Sequence, residues 1–295
     1  MPSLRQIRGR IRSIQNSRQI LRAMQLVSGS KLKRSQDKLR QSREVVAFLD
    51  ELLQRVLTAV TARASRRTPA QLEHPLCRVR ESQSSLLVIV TSDAGLCGSY
   101  NTNLLQLAEA YLRRESARTT QLVFIGKKGA RYFTKRGYTA LESYLNLAGR
   151  PNPAKHAEIG RALMQRFLSG SVGSVSVLYS TFVSPMVYRP TIEPWLPVTL
   201  NPQSEIRNPQ LDYIFEPTPQ RVFEDLLPRW ALARFQLMLL EAFTSEHSAR
   251  MIAMKNATDN AQELLDALTM QRNKTRQAVI TKELSEIVGT AEALK

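Results

Sequence analysis

Proline is missing from Ser3 to Thr68 and again from Arg229 to Lys295. Glycine is nearly missing from the same two stretches, with Gly9 and Gly29 in the first and Gly289 in the second. Without helix breakers, turn-rich terminal domains are excluded, and two long helices are the economical reading. Cysteine is limited to Cys77 and Cys97, and histidine to His74, His156 and His247. With no CxxC spacing, this argues against a zinc site, and two reduced cysteines are expected. No run of about 18 apolar residues occurs, so no membrane-spanning helix is expected. The first residues lack the apolar stretch of a secretory signal, and none is expected. Neither GxSxG nor HExxH occurs, so no catalytic constellation stands out.

The missing residues are concentrated in the middle. Nine of the twelve glycines lie between Gly95 and Gly173, which leaves about 150 residues for a packed core. The expected division is an N-terminal helix at 1–68, a central α/β domain at 69–220 and a C-terminal helix at 221–295. A rod with a body points to mechanical or scaffolding work. Charge is uneven: residues 1–67 carry 16 Lys/Arg against 4 Asp/Glu, whereas 229–295 carry 9 against 8. The basic excess sits on the first helix, and nucleic acid, an anionic membrane or an acidic protein surface would suit it.

That helix carries a seam in alternating steps of three and four. It runs through Leu4, Ile7, Ile11, Ile14, Arg18, Leu21, Gln25, Ser28, Leu32, Ser35, Leu39, Ser42, Val46, Leu49, Leu53, Val56 and Val60. Twelve of these seventeen positions are apolar, which predicts packing along a second helix. The polar members should mark a thinner stretch. Ile20, Met24 and Val27 form a second strip, so a further neighbour is expected. At 1.5 Å per residue the helix would be about 85 Å long and would need a long partner. Met254, Ala257, Ala261, Leu264 and Leu268 repeat the spacing near the other end. Ile280, Leu284, Ile287, Ala291 and Leu294 resume it, either in the same pairing or projecting beyond it. The spacing predicts an antiparallel coiled coil.

The centre reads as alternating strands and helices, hence a mainly parallel sheet. Strands are expected at 86–91, 122–126, 175–183 and 189–196, the last an edge strand because it carries prolines. Helices are expected from near Asn101, over 127–136 and over 154–168, and 201–219 reads as a proline-bearing connection. Asp93-Ala94-Gly95-Leu96-Cys97-Gly98 follows a strand and precedes a helix, where phosphate-binding loops sit. It lacks the full GxGxxG pattern and a P-loop lysine. A tight turn, with Asn101 or Thr102 capping the next helix, is the plainer expectation.

Four stretches carry a resemblance: SLRQIRGRIRSIQNSRQILRAMQLVSGSKLKRSQ, TSDAGLCGSYNTNLL, FIGKKGARYFTKRGY and SEHSARMIAMKNATDNAQELLDALTMQRNKTRQAVITKELSEIVGTAEAL. In this order, across nearly the whole chain, they resemble the gamma-subunit family of the F-type ATP synthases. The resemblance implies a central-stalk rotor without cofactor, metal or catalytic residue of its own. Its partners would be a hexameric ring of alpha and beta subunits, an epsilon subunit and a membrane c ring. Nucleic acid is not among them, and the membrane is met only through the c ring. The chain would lie peripheral to an energy-transducing membrane, on the cytoplasmic side of the plasma membrane if bacterial.

The resemblance also implies contacts. Arg22, Met24, Lys31, Lys33, Arg34, Arg276, Gln277, Thr281, Ile287, Ala291 and Leu294 would meet the alpha/beta ring. Tyr213, Phe215 and Glu216 would form the foot against the c ring and epsilon. Gly9, Ser28-Gly29-Ser30 and Lys282 depart from the family's usual residues. Gly29 should weaken an isolated helix by about 1 kcal/mol relative to alanine. Two other classes remain: a basic coiled-coil nucleic-acid binder, and a nucleotide-dependent enzyme using the 93–98 turn.

Overall fold

A computed structural model describes residues 3–64, 74–80, 84–114, 119–147, 152–199 and 215–293, without the side chains of 61–64 and 291–293. The elements are α1 (Leu4–Ala64), β1 (Ser84–Val90), α2 (Tyr100–Arg114), β2 (Thr119–Ile125), α3 (Lys127–Thr134), β3 (Ala140–Tyr144), α4 (Pro153–Leu168), β4 (Ser174–Ser184), β5 (Val187–Leu196) and α5 (Pro219–Ala293). They fall into two compact units, Met1–Gly29 with Arg250–Lys295, and Ser30–Ala249. The boundaries lie inside α1 and α5.

In the first unit, Ile7, Ile11 and Leu265 form a buried cluster, with Ile14 and Leu268 against it. Arg18 donates to Gln262, and the Met251 sulfur lies beside Gly29. Residue numbers rise along α1 as they fall along α5, so the pairing is antiparallel. One expected seam residue moves: Leu264 is 55% exposed, and Leu265 takes its place at 5%. An α-helix turns every 3.6 residues, so a rigid three/four alternation drifts off the contact face and the next step must lengthen.

The second unit holds a five-stranded sheet in the order β3-β2-β1-β4-β5. Strands β1, β2, β3 and β4 are mutually parallel, and β5 is antiparallel to β4. Alternation in β1 divides the core. Leu86, Val88 and Val90 face α1, α4 and α5, while Leu87 and Ile89 face α2 and α3. Gly160 lets α4 approach α5: a Cβ there would stand 2.6 Å from Leu232 Cδ1. Strand β5 lies at an edge and carries Pro190 and Pro194, where missing N–H groups cost least. Strand β3 was not foreseen. Its five residues, ALESY, alternate without an apolar run and are never fully buried. Residues 201–214 of the expected connection lie outside the described residues.

All seventeen seam positions of α1 are buried or half-buried. The expected thinning at polar positions is absent: Ser28 and Ser35 are 3% and 2% exposed. A serine is small enough for a neighbour to cover. On α5, Leu237–Ala249 is buried without interruption, including Glu241 and the Thr244–Ser248 run. Part of that polarity is satisfied locally. Thr244 Oγ1 donates to the Leu240 carbonyl at 2.7 Å, Ser245 Oγ donates to the Ser180 carbonyl at 3.0 Å, and Ser248 donates to the Pro185 carbonyl.

Candidate functional site

The turn after β1 is the first place to look for chemistry, because ligands of parallel sheets bind beyond strand carboxyl ends. Its polar groups are turned inward. Asp93 Oδ1 accepts from the backbone N–H groups of Lys127 and Asn146, both at 3.1 Å. The Lys128 N–H donates to the Ser92 carbonyl at 3.1 Å, and the Gly129 N–H to Thr91 Oγ1 at 2.9 Å. The first three N–H groups of α3, which a phosphate would need, are thus bonded to Thr91–Asp93. Gly126 enters α3 with φ +101°, and a Cβ there would collide with the Thr91 carbonyl.

Asn101 does not cap α2 as expected. It lies within the first turn of that helix and reaches back into the loop. Its Oδ1 accepts from the Ser92 N–H at 3.1 Å, and its Nδ2 donates to Ser92 Oγ at 2.8 Å and to Cys97 Sγ at 3.1 Å. These contacts make 92–101 a brace joining β1, α2 and α3.

The remaining sequence-derived candidates lie on surfaces. On α1, Arg22, Lys31, Lys33 and Arg34 are exposed and Met24 is half-buried. Beside Met24, Ile20 is 62% and Val27 56% exposed. On α5 every described side chain from Arg276 to Thr290 is exposed, including Gln277, Thr281 and Ile287. Lys282 pairs with Glu286 on its own helix at 3.5 Å. Phe215 packs partly buried against the larger core cluster, and Glu216 is exposed. Tyr213 and Leu294 lie outside the described residues, and Ala291 falls beyond the last described side chain.

Sequence reasoning missed a charged network inside the second unit. Arg43 on α1 donates to Glu241 on α5 at 2.8 Å and to the Phe182 carbonyl of β4 at 2.6 Å. Arg234 donates to Glu193 Oε1 at 2.8 Å, and the Tyr179 hydroxyl donates to Glu193 Oε2 at 2.6 Å. Trp230 Nε1–H donates to Asp50 at 2.5 Å, again joining α5 to α1. Burial holds the Glu241 carboxyl above the ordinary carboxylate range, although the Arg43 hydrogen bond and charge pull it down. The available signal was Glu241 itself, an acid inside the apolar run LMLLEAF. His156 is buried beside Phe243, and burial pushes its pKa down to about 4.

Known proteins are similar over the whole length. A family model described as ATP synthase matches residues 3–294. The ATP synthase gamma chain of Roseiflexus sp. (strain RS-1) is 41% identical over 297 residues, covering 100% of this chain and 99% of that protein. The ATP synthase gamma chain of Pelotomaculum thermopropionicum is 37% identical, covering all of both chains. Among solved structures, a chain of the Tetrahymena thermophila mitochondrial ATP synthase central stalk and c-ring superposes with a TM-score of 0.60 at 22% identity. That match covers 81% of this chain and 99% of the other. A chain of the Euglena gracilis mitochondrial ATP synthase rotor gives 0.59 at 17% identity, covering 94% and 98%. At these identities the likeness is one of fold.

Proposed function

The chain belongs to the ATP synthase gamma-chain family, and from that premise we propose that it is the central-stalk rotor, passing torque between a membrane c ring and a catalytic alpha/beta hexamer. The observation that carries the reading is the opposed pairing of the chain's two ends. In one unit Ile7 and Ile11 cluster with Leu265, and Arg18 bonds Gln262. In the other, Arg43 bonds Glu241 and Asp50 accepts from Trp230. Helices paired in this way form an antiparallel coiled coil, and such a coil is stiff enough to deliver torque. Residues 1–68 and 221–295 form this axle, and 69–220 form the foot.

The chain is non-catalytic by itself, and its neighbours perform the chemistry. Arg22, Lys31, Lys33 and Arg34 offer a basic face to an acidic track of the hexamer, with Met24 beside them. Arg276, Gln277 and Thr281 hydrogen-bond the surrounding ring. Ile287, Ala291 and Leu294 end the helix in an apolar sleeve. Tyr213, Phe215 and Glu216 meet the c ring and epsilon. Exposure of Arg276–Thr290 supports the ring contacts, since polar and apolar groups alike are left for a neighbour. The chain is peripheral to the membrane, and the cytoplasmic side follows if the source is bacterial.

The test is reconstitution with purified alpha and beta subunits and a bead fixed to the central domain. ATP hydrolysis should turn the bead. A hexamer that assembles around the chain and hydrolyses ATP while the bead stays still would refute the rotor reading.

A further inference from the structure

One surface of the second unit is not used by the rotor reading. Beside α3 lies an open cavity of about 460 Å³. Lys127, Lys128, Arg131 and Lys135 line it, with Ala130 and Leu145 contributing apolar surface. All four cations are exposed. None of them makes an ion pair among the described residues. The carboxylate in the lining, Asp93, accepts from the Lys127 and Asn146 N–H groups. The far end of the α3 segment behaves differently. There Arg136 pairs with Glu109 at 3.1 Å and lies over the Tyr132 ring at 3.6 Å. The sequence therefore neutralises one cation of this segment internally and leaves four around a concavity.

Their spacing says what kind of anion fits. Lys127, Arg131 and Lys135 stand four residues apart, so they form a ridge about 12 Å long on one helix face. A compact phosphate would use the N–H groups at the start of α3, but those are bonded to Asp93, Ser92 and Thr91. A row of separated carboxylates matches the ridge, and small apolar side chains between them match Ala130 and Leu145. We infer that this cleft is a docking surface for an acidic helical segment of a neighbouring protein, with carboxylates at every fourth position. The inference stands apart from the rotor reading, and its test needs neither alpha nor beta subunits.

The probe is a fluorescein-labelled alanine–glutamate peptide about three turns long, with glutamate at every fourth position. Fluorescence anisotropy with the full chain should show binding that weakens from low to physiological salt. Lys127→Gln/Arg131→Gln/Lys135→Gln should weaken it at least about tenfold, and Arg131→Gln alone by a smaller factor. Lys155→Gln/Arg161→Gln, on exposed α4 positions, should leave it unchanged, and thermal melts should show each variant folded. Equal affinity for the triple variant and the parent overturns the proposal. So does equal binding of a glutamine-for-glutamate peptide, or an equal loss in the α4 variant. Displacement by tripolyphosphate at lower concentration than by unlabelled peptide also overturns it, by marking a small-anion site.

Discussion

The guanidinium of Arg43 holds Glu241 through two nitrogens, Nε at 3.1 Å and Nη2 at 2.8 Å, and so ties α1 to α5. The Glu241 side chain is 9% exposed and that of Arg43 43% exposed. Removing the exposed partner leaves the buried acid without its cation. Arg43→Met should therefore cost about 1.5–3 kcal/mol in a urea melt of the full chain. Arg43→Met/Glu241→Met should recover most of that loss, because an apolar pair leaves no charge buried. An unchanged midpoint in the single variant would show that Glu241 finds another cation.

His156 should make the chain acid-sensitive. Burial lowers its pKa from 6.5 to about 4, so below the unfolded value the unfolded chain binds the proton and the folded chain does not. Its contribution is fully present above pH 6.5 and is lost as pH falls towards 4. By pH 5 the loss is on the order of 2 kcal/mol. His156→Leu should flatten this part of the stability–pH curve and leave neutral stability level or higher, since Nε2 has no hydrogen-bond partner among the described residues. Parallel curves for parent and variant would contradict the assignment.

Two glycine-to-alanine changes should have opposite signs. At Gly29 a Cβ would meet, among the described residues, only the Met251 sulfur, at 3.5 Å, an ordinary contact. Gly29→Ala should stabilise by about 0.5–1 kcal/mol through helix propensity. At Gly160 the Cβ would stand 2.6 Å from Leu232 and 3.0 Å from Phe235. Gly160→Ala should destabilise by about 1–3 kcal/mol by forcing α4 away from α5. Thermal melts of both variants decide it: stabilisation at both sites would mean that local propensity outweighs packing, and destabilisation at both that packing outweighs propensity even at Gly29.

The apolar residues near the end of α5 should matter to assembly and not to folding. Leu284 and Ile287 are 57% and 64% exposed. Leu284→Ser/Ile287→Ser should leave the melt of the isolated chain within about 0.5 kcal/mol. The same variant should assemble less well with purified alpha and beta subunits, read as recovered complex on size exclusion. Normal assembly and full torque would remove the proposed sleeve contact.

Residues with a repeating pattern were legible from the chain alone. The seam of α1 could be traced position by position, because a helix buries one face at a fixed period and Leu4 through Val60 obey it. The β1 run was legible because a strand buried on both faces is continuously apolar. Strand β3 was not, since ALESY pairs through its backbone and its side chains carry no signal. Leu264 and Leu265 are both leucine, and only the partner helix distinguishes the buried one from the exposed one. Of the candidate contacts, the exposed basic and apolar positions could be named in advance, whereas the Arg43–Glu241 bond joins residues 198 positions apart.

Local sequence therefore determined which segments became helices and strands, β3 excepted, through breaker placement, apolar period and charge distribution. Tertiary structure decided which face of α5 is covered, that Asp93 closes the start of α3, and that Glu241 is buried with a cation beside it. Propensity and periodicity act within a few residues. The burial of a charge and the closing of a helix end depend on atoms brought from distant parts of the chain.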